Sequence, residues 1–301
     1  HRSGVNGMSL YAFASRWEAA PRPLPGGMLL AVGDVHGHLQ HLDALLGLLR
    51  PEIQRAHGAG LACELVMLGD YVDRGPDSLG TLRRLLGLDA LLGVPVTALC
   101  GNHDQYLIDF LCSEEPGPAV LDHWCANGGL STLAELGIRQ PEIGNRDFAT
   151  LAARARTMAG PEVLRLLQRL ALTRACGPYV CVHAGIRPGR PLGEQERKEL
   201  ITLREPFLSG KGWDYPFTAI HGHTIRGPEV LEHRIAVDSG AYRTGVLSAV
   251  QIEGERLRFL NVTSDPKLKA FKRLPGPGQR RRFDAPEPLA GTRPPAFALG
   301  A

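Results

Sequence analysis

Hydrophobic residues along the chain fall first into a short run, then into a helical stripe, and this rhythm repeats. Residues 28–32 read as a buried strand, and Leu39, Leu42, Leu45, Leu46, Leu49 and Ile53, three and four positions apart, give one apolar face to a helix. Residues 65–68 make the next strand. Ser78 is placed to cap a second helix carrying Leu79, Leu82, Leu85 and Leu86, and residues 94–99 follow as a third strand. Strands separated by helices in this way predict parallel pairing. Just upstream, Pro21, Pro23, Pro25, Gly26 and Gly27 break the pattern. The folded body is therefore expected to begin at Met28, with a short surface helix before it.

Residues 105–112 have a helical pattern, and from there to about residue 172 the chain reads as a helical insertion with Pro and Gly breaks. A strand at 179–183 ends it. Short apolar segments at 217–220, 234–237, 246–252 and 257–262, with turn residues between them, predict a late antiparallel sheet. No internal repeat is visible.

With 301 residues, 44% of them hydrophobic, the chain can build a core of ordinary size. Its net charge of +3 excludes a disordered or nucleic-acid-coating polymer. The excess lies at one end. Residues 263–301 carry eight of the 34 Lys and Arg but three of the 31 Asp and Glu, together with seven of the 23 prolines, so the rest is slightly acidic. This gives three regions: an N-terminal extension at 1–27, a body at 28–262 and a basic, Pro-rich tail at 263–301 that is expected to be mobile. Met8 offers a natural start, which leaves residues 1–7 as a cloning remnant. Six cysteines without a CxxC pair are expected to be reduced and mostly buried. No apolar run of about 18 residues is present to span a bilayer and the start lacks a signal-peptide pattern, so a cytoplasmic protein without a membrane partner is expected.

Five polar clusters each follow an apolar run that reads as a strand, where open α/β sheets gather their ligand-binding loops. They are Gly33-Asp34-Val35-His36-Gly37, Gly69-Asp70-Tyr71-Val72-Asp73-Arg74-Gly75, Gly101-Asn102-His103-Asp104, His183-Ala184-Gly185 and His221-Gly222-His223. Nitrogen and oxygen donors without thiolates suit paired divalent metals such as Mn, Fe or Zn, and exclude a Cys-type structural zinc. Asp104 is read as a helix cap, His223 as a support for its neighbour, and His41, His57, His123 and His233 as residues without a role.

In the order and spacing of these motifs the chain resembles the calcineurin-like metallophosphoesterases, and within them the bacterial form of the PPP-type serine/threonine phosphoprotein phosphatases, over roughly residues 28–262. The resemblance implies an α/β fold, a four-layer α/β/β/α sandwich of two mixed sheets flanked by helices. It implies two divalent metal ions per chain, Mn²⁺ first and Fe or Zn as alternatives. Asp34 and His36 would hold the first ion, Asp70 would bridge both, and Asn102, His183 and His221 would complete the second, with a bridging hydroxide attacking phosphorus in line. Cations roughly 3.5–4 Å apart neutralise a phosphoryl oxygen as it is attacked, and a carboxylate can touch both. His103 resembles the general acid, with Asp73 orienting it. Arg74 and Arg204 would grip the substrate phosphate, which Asn102 and His103 also face.

The residue at 73 bears on the substrate. Symmetrical dinucleoside tetraphosphatases commonly have a small residue there, whereas protein phosphatases have the Asp that partners the catalytic His. Asp73 therefore favours phosphomonoester hydrolysis, on a phosphoprotein or a small phosphomonoester. Symmetrical diadenosine tetraphosphate hydrolysis is the alternative. A non-enzymatic metal-binding scaffold with a partner-binding basic tail is a third reading, and specific nucleic-acid binding is not expected from a tail of this kind. Cys100 stands where eukaryotic members carry Arg, Asp104 replaces their Glu, and their tyrosine-containing C-terminal loop is not recognisable. Trp124, with Asn127-Gly128-Gly129 after it, resembles a segment of bacterial members that lies near the site. The sequence leaves the oligomeric state open.

Overall fold

A computed structural model describes residues 9–113, 118–144 and 147–265. The strands are β1 (Tyr11–Ala14), β2 (Glu18–Val32), β3 (Ala62–Met67), β4 (Val96–Ala98), β5 (Thr173–Cys176), β6 (Tyr179–Val182), β7 (Thr218–His221), β8 (Glu229–Val230), β9 (Arg234–Ala236) and β10 (Val246–Thr263). Among the described residues they form two mixed sheets, ordered β1-β10-β2-β3-β4 and β5-β6-β7-β9-β8. The helices that follow the first βα units are α1 (Leu39–Gly58), α2 (Ser78–Leu85), α3 (Leu88–Leu92) and α4 (Asn102–Cys112). The insertion is helical, with α5 (Pro118–Trp124), a π-turn at Cys125–Gly129, α6 (Leu130–Glu135), α7 (Gln140–Gly144), α8 (Phe148–Ala159) and α9 (Pro161–Gln168). Two short helices complete the chain, α10 (Arg197–Thr202) and α11 (Ala241–Thr244).

Strand side chains alternate between the two faces of a sheet, and that period sorts the core into layers. Leu29, Ala31, Val66 and Leu68 of the first sheet meet Tyr179, Cys181, Ile220 and Ile235 of the second in one buried cluster between the sheets. The alternate positions Met28, Leu30, Val32, Leu65 and Met67 face Leu42, Leu45, Leu49 and Leu82 of the helices. On the far side, Val180, Val182 and Ala219 pack on Leu200 and Phe207. The fold is thus the expected sandwich of two mixed sheets between helical layers. Strand β2 pairs parallel with β3, and β3 with β4, as the βα rhythm predicts.

Three expectations are corrected. The described residues before Met28 are not helical: β1 and the first half of β2 are strands on β10. Pro21, Pro23 and Pro25 are tolerated because β2 pairs with β3 only from Gly27 onward, so before that residue one edge of β2 has no ladder for a proline to interrupt. The late segments do not form a separate antiparallel sheet. Residues 246–252 and 257–262 are one continuous strand, β10, in the first sheet, while β7 lies parallel to both β6 and β9 in the second. Third, Asp77 rather than Ser78 caps α2, its carboxylate accepting from Gly80 N at 2.8 Å, and the Ser78 hydroxyl instead accepts from Asp73 N at 3.1 Å.

The described residues hold free cysteines, of which Cys63, Cys100, Cys176 and Cys181 are buried and Cys112 is exposed. No helix among them is long and apolar enough to cross a membrane. Beyond Thr263, Ser264 and Asp265 the basic tail lies outside the described residues, as does the proposed remnant at 1–7.

Candidate metal centre

The C-terminal ends of β2, β3, β4, β6 and β7 all open on one edge of the sandwich, and each carries one of the five polar clusters. The backbone there is unusual. His36, Asp70, Asp73, Arg74 and His223 have φ between 45 and 73°, a left-handed conformation that non-glycine residues rarely adopt away from functional sites. Turning the chain sharply after β2, β3 and β7 brings His36, Asp70 and His223 toward one place.

Asp70 is that point. Its Oδ2 lies 3.6 Å from His36 Nε2 and its Oδ1 3.4 Å from His183 Nε2, so one carboxylate faces two separate imidazoles from its two oxygens. Each ring is fixed through its other nitrogen: His36 Nδ1 donates to Val72 O and His183 Nδ1 to Leu68 O, both at 2.8 Å. This leaves both Nε2 atoms as lone-pair donors. Asn102 Oδ1 stands 3.3 Å from His183 Nε2. Asp34 is buried, its Oδ2 accepts from His223 N at 3.0 Å, and its Oδ1 has no partner. A Cβ on Gly222 would overlap that oxygen, so only glycine admits Asp34 here.

Two residues depart from the expected set. His221, the expected sixth ligand, is not brought to the centre: it packs on Phe207 with ring centroids 5.0 Å apart, and its Nε2 lies 3.4 Å from Arg234 Nη1. His223 takes the place instead. It groups with Asp70 and His183, and its Nε2 is buried without a partner. Strand alternation is the reason, because Ile220 fills the layer between the sheets while His221 follows Ala219 to the outer layer.

Electrostatics separate the rings into two kinds. Burial lowers His36 to about 3 and His223 to about 3, and it also holds His183 below the ordinary value, so these imidazoles stay neutral as metal ligands must. Burial also pushes on His103, but there the carboxylates of Asp70 and Asp73 outweigh it and raise the ring. Burial, then Asp238 and Asp70, raises the Asp34 carboxyl well above the usual range. Orphaned buried atoms at Asp34 Oδ1 and His223 Nε2, together with neutral imidazoles gathered around Asp70, fit a divalent cation.

The remaining predicted residues surround this cluster. His103 Nδ1 donates to Asp73 Oδ2 at 2.6 Å, and its Nε2 accepts from Arg74 Nη2 at 3.0 Å. Arg74 Nη1 donates to His36 Nε2 at 2.9 Å. Arg204 is exposed on the loop after α10, near enough for its charge to act on His223. Asp104 does more than cap α4: its two oxygens accept from Asp70 N, Tyr71 N and Gly101 N at 2.7–2.9 Å, clamping two of the loops together. Sequence reasoning missed Tyr242, whose ring lies 5.1 Å from His36, and gave Thr132 no role, although its hydroxyl donates to Asp73 at 2.6 Å. The available signal for Tyr242 was its place a few residues after the apolar run 234–237, on the same side of a strand as the five clusters.

A family model of calcineurin-like phosphoesterases matches residues 28–227. The chain belongs to the calcineurin-like phosphoesterase family. This phosphoesterase is 28% identical over 262 residues, 85% of its length and 76% of the relative's, to a Janthinobacterium sp. (strain Marseille) protein named symmetrical bis(5'-nucleosyl)-tetraphosphatase. A Neisseria gonorrhoeae (strain NCCP11945) protein of the same name is 38% identical over 193 residues, 64% of this chain and 55% of that one. The match to a further namesake, from Methylococcus capsulatus, spans 44% of that protein, so for several curated relatives the chain spans about half their length or less. A crystal structure named as a proposed diadenosine tetraphosphatase is 26% identical with a TM-score of 0.50, covering 78% of this chain and 94% of that one. Calcineurin-like phosphoesterases are metal-dependent hydrolases with a dinuclear divalent centre, and candidate ligand groups for one are present here.

Proposed function

We propose that this phosphoesterase hydrolyses symmetrical dinucleoside tetraphosphates at a centre whose ligands are Asp34, His36, Asp70, Asn102, His183 and His223, with Mn²⁺ as the first metal to test. The observation that carries the substrate is the match, over 85% of the chain, to a protein named for that activity. Divalent ions bound there would supply Lewis-acid chemistry, neutralising phosphoryl charge and lowering the pKa of water. The chain's own residues do the rest. Asp34 and Asp70 present carboxylate oxygens, His36, His183 and His223 present neutral nitrogens, and the fork of Arg74 and the head of Arg204 bind the non-bridging phosphate oxygens. Held through Nδ1 by Asp73 and raised by the carboxylates of Asp70 and Asp73, His103 would carry a second proton on Nε2 and pass it to a departing oxygen once Arg74 has turned to the phosphate.

One observation favours a second reading, phosphomonoester hydrolysis on serine/threonine phosphoproteins or small molecules. A nucleoside diphosphate leaves as a stable anion and needs no proton, whereas an alkoxide does. A buried Asp73–His103 pair at 2.6 Å is the device that the second kind of substrate requires. The test is a side-by-side rate measurement with Mn²⁺ on diadenosine tetraphosphate and on a phosphoserine peptide. The first reading predicts two ADP per tetraphosphate and at least a tenfold higher kcat/KM for it; a preference for the phosphopeptide would replace it with the second.

A further inference from the structure

Arg74 is held in place without an acid. Its guanidinium donates to His36 and His103, its Nε reaches Asn127 O at 3.4 Å, and among the described residues it forms no ion pair with a carboxylate. What covers it is Tyr242, with Arg74 Cζ 4.2 Å from the ring centroid. The stem is confined from the other side. Arg74 N donates to Gly128 O at 3.1 Å, and a Cβ on Gly128 would come within 2.7 Å of Arg74 Cγ. Tyr242 is itself well anchored: Gly240 N donates to Asp238 Oδ1 at 2.8 Å, Thr244 Oγ1 donates to Ser239 O at 2.8 Å, and Gly245 closes α11 in a left-handed turn.

We infer that Tyr242 is a positioning residue for Arg74, an aromatic platform that fixes one face of the guanidinium without neutralising the charge that binds a phosphate. A carboxylate would hold the arginine equally well, but it would neutralise the charge and compete with the incoming anion. A ring face attracts the cation through its quadrupole and offers no lone pair to the fork. With 37% of its surface exposed, Tyr242 borders the centre on its solvent side.

This inference rests on Arg74 being the phosphate grip, and a binding measurement tests it independently of substrate identity. Inorganic phosphate is titrated into the Mn²⁺-loaded full chain by calorimetry, beside KM and kcat for p-nitrophenyl phosphate. Tyr242→Ala and Tyr242→Leu should each weaken phosphate binding and raise KM by roughly tenfold with a smaller change in kcat, while Tyr242→Phe should stay within about twofold of the native protein. Combined with Arg74→Ala, Tyr242→Ala should add almost nothing. A Leu variant that binds phosphate like the native protein would reduce the contact to packing and overturn the inference, and so would a full tenfold loss in the Arg74→Ala background. Absent turnover with intact phosphate binding would count against the proposed function and leave these binding outcomes decisive for Tyr242.

Discussion

Asp73 accepts from His103 and from Trp124 Nε1 at 2.7 Å on Oδ2, and from the Thr132 hydroxyl at 2.6 Å on Oδ1, while its own N–H donates back to Thr132 Oγ1 at 3.0 Å. A carboxylate tied at both oxygens cannot swing away, so the ring it orients keeps Nε2 on the cleft. Trp124→Phe should therefore slow hydrolysis of alkyl phosphates by roughly tenfold and leave p-nitrophenyl phosphate, whose leaving group needs no proton, within about twofold; equal losses on both substrates would show that Trp124 serves packing alone. The motifs made Asp73 and His103 legible as a pair, but Trp124 and Thr132 reach them from 51 and 59 residues away, through a helical insertion whose docking no local pattern specifies. In His221-Gly222-His223 the spacing permitted either ring. The strand period decides it, since Ile220 faces inward and His221 therefore cannot.

At the scale of elements, the tight link between the β3 and β4 loops is Asp104. It carries three backbone N–H groups on one buried side chain, and burial, reinforced by Asp70, raises its carboxyl to about 7. Asp104→Ala would leave those donors without an acceptor. A loss of roughly 3 kcal/mol is expected, seen as a fall of about 6–12 °C in the thermal midpoint; a midpoint unchanged within about 2 °C would mean that the loops hold without the clamp. The βα units were readable because helix and strand periods differ, and β3, β4, β6, β7 and β9 fall within a few residues of their apolar runs. The N-terminal strands were not readable: prolines that normally break a ladder survive where one edge has no partner, and that edge exists only once β10 has paired with β2. Nor does local patterning show that β10 leaves the late block to join the first sheet.

For the whole molecule, the sandwich brings together at one sheet edge residues drawn from positions 34 to 242. Outside the tail the chain has slightly more acid than base, yet an anionic phosphate must bind there. Two divalent ions would add about four positive charges at that edge, enough to reverse the local sign. On the proposed function Asp70 would help to hold both ions, and hydrolysis would depend on them. Metal content and turnover measured together on the reconstituted chain test it most directly. Two equivalents of Mn²⁺ per chain are predicted, with hydrolysis that chelation abolishes and Mn²⁺ restores, and Asp70→Asn should lose both metal and at least about a thousandfold in rate. Hydrolysis that survives chelation, or an Asp70→Asn variant as active as the native protein, would contradict the account.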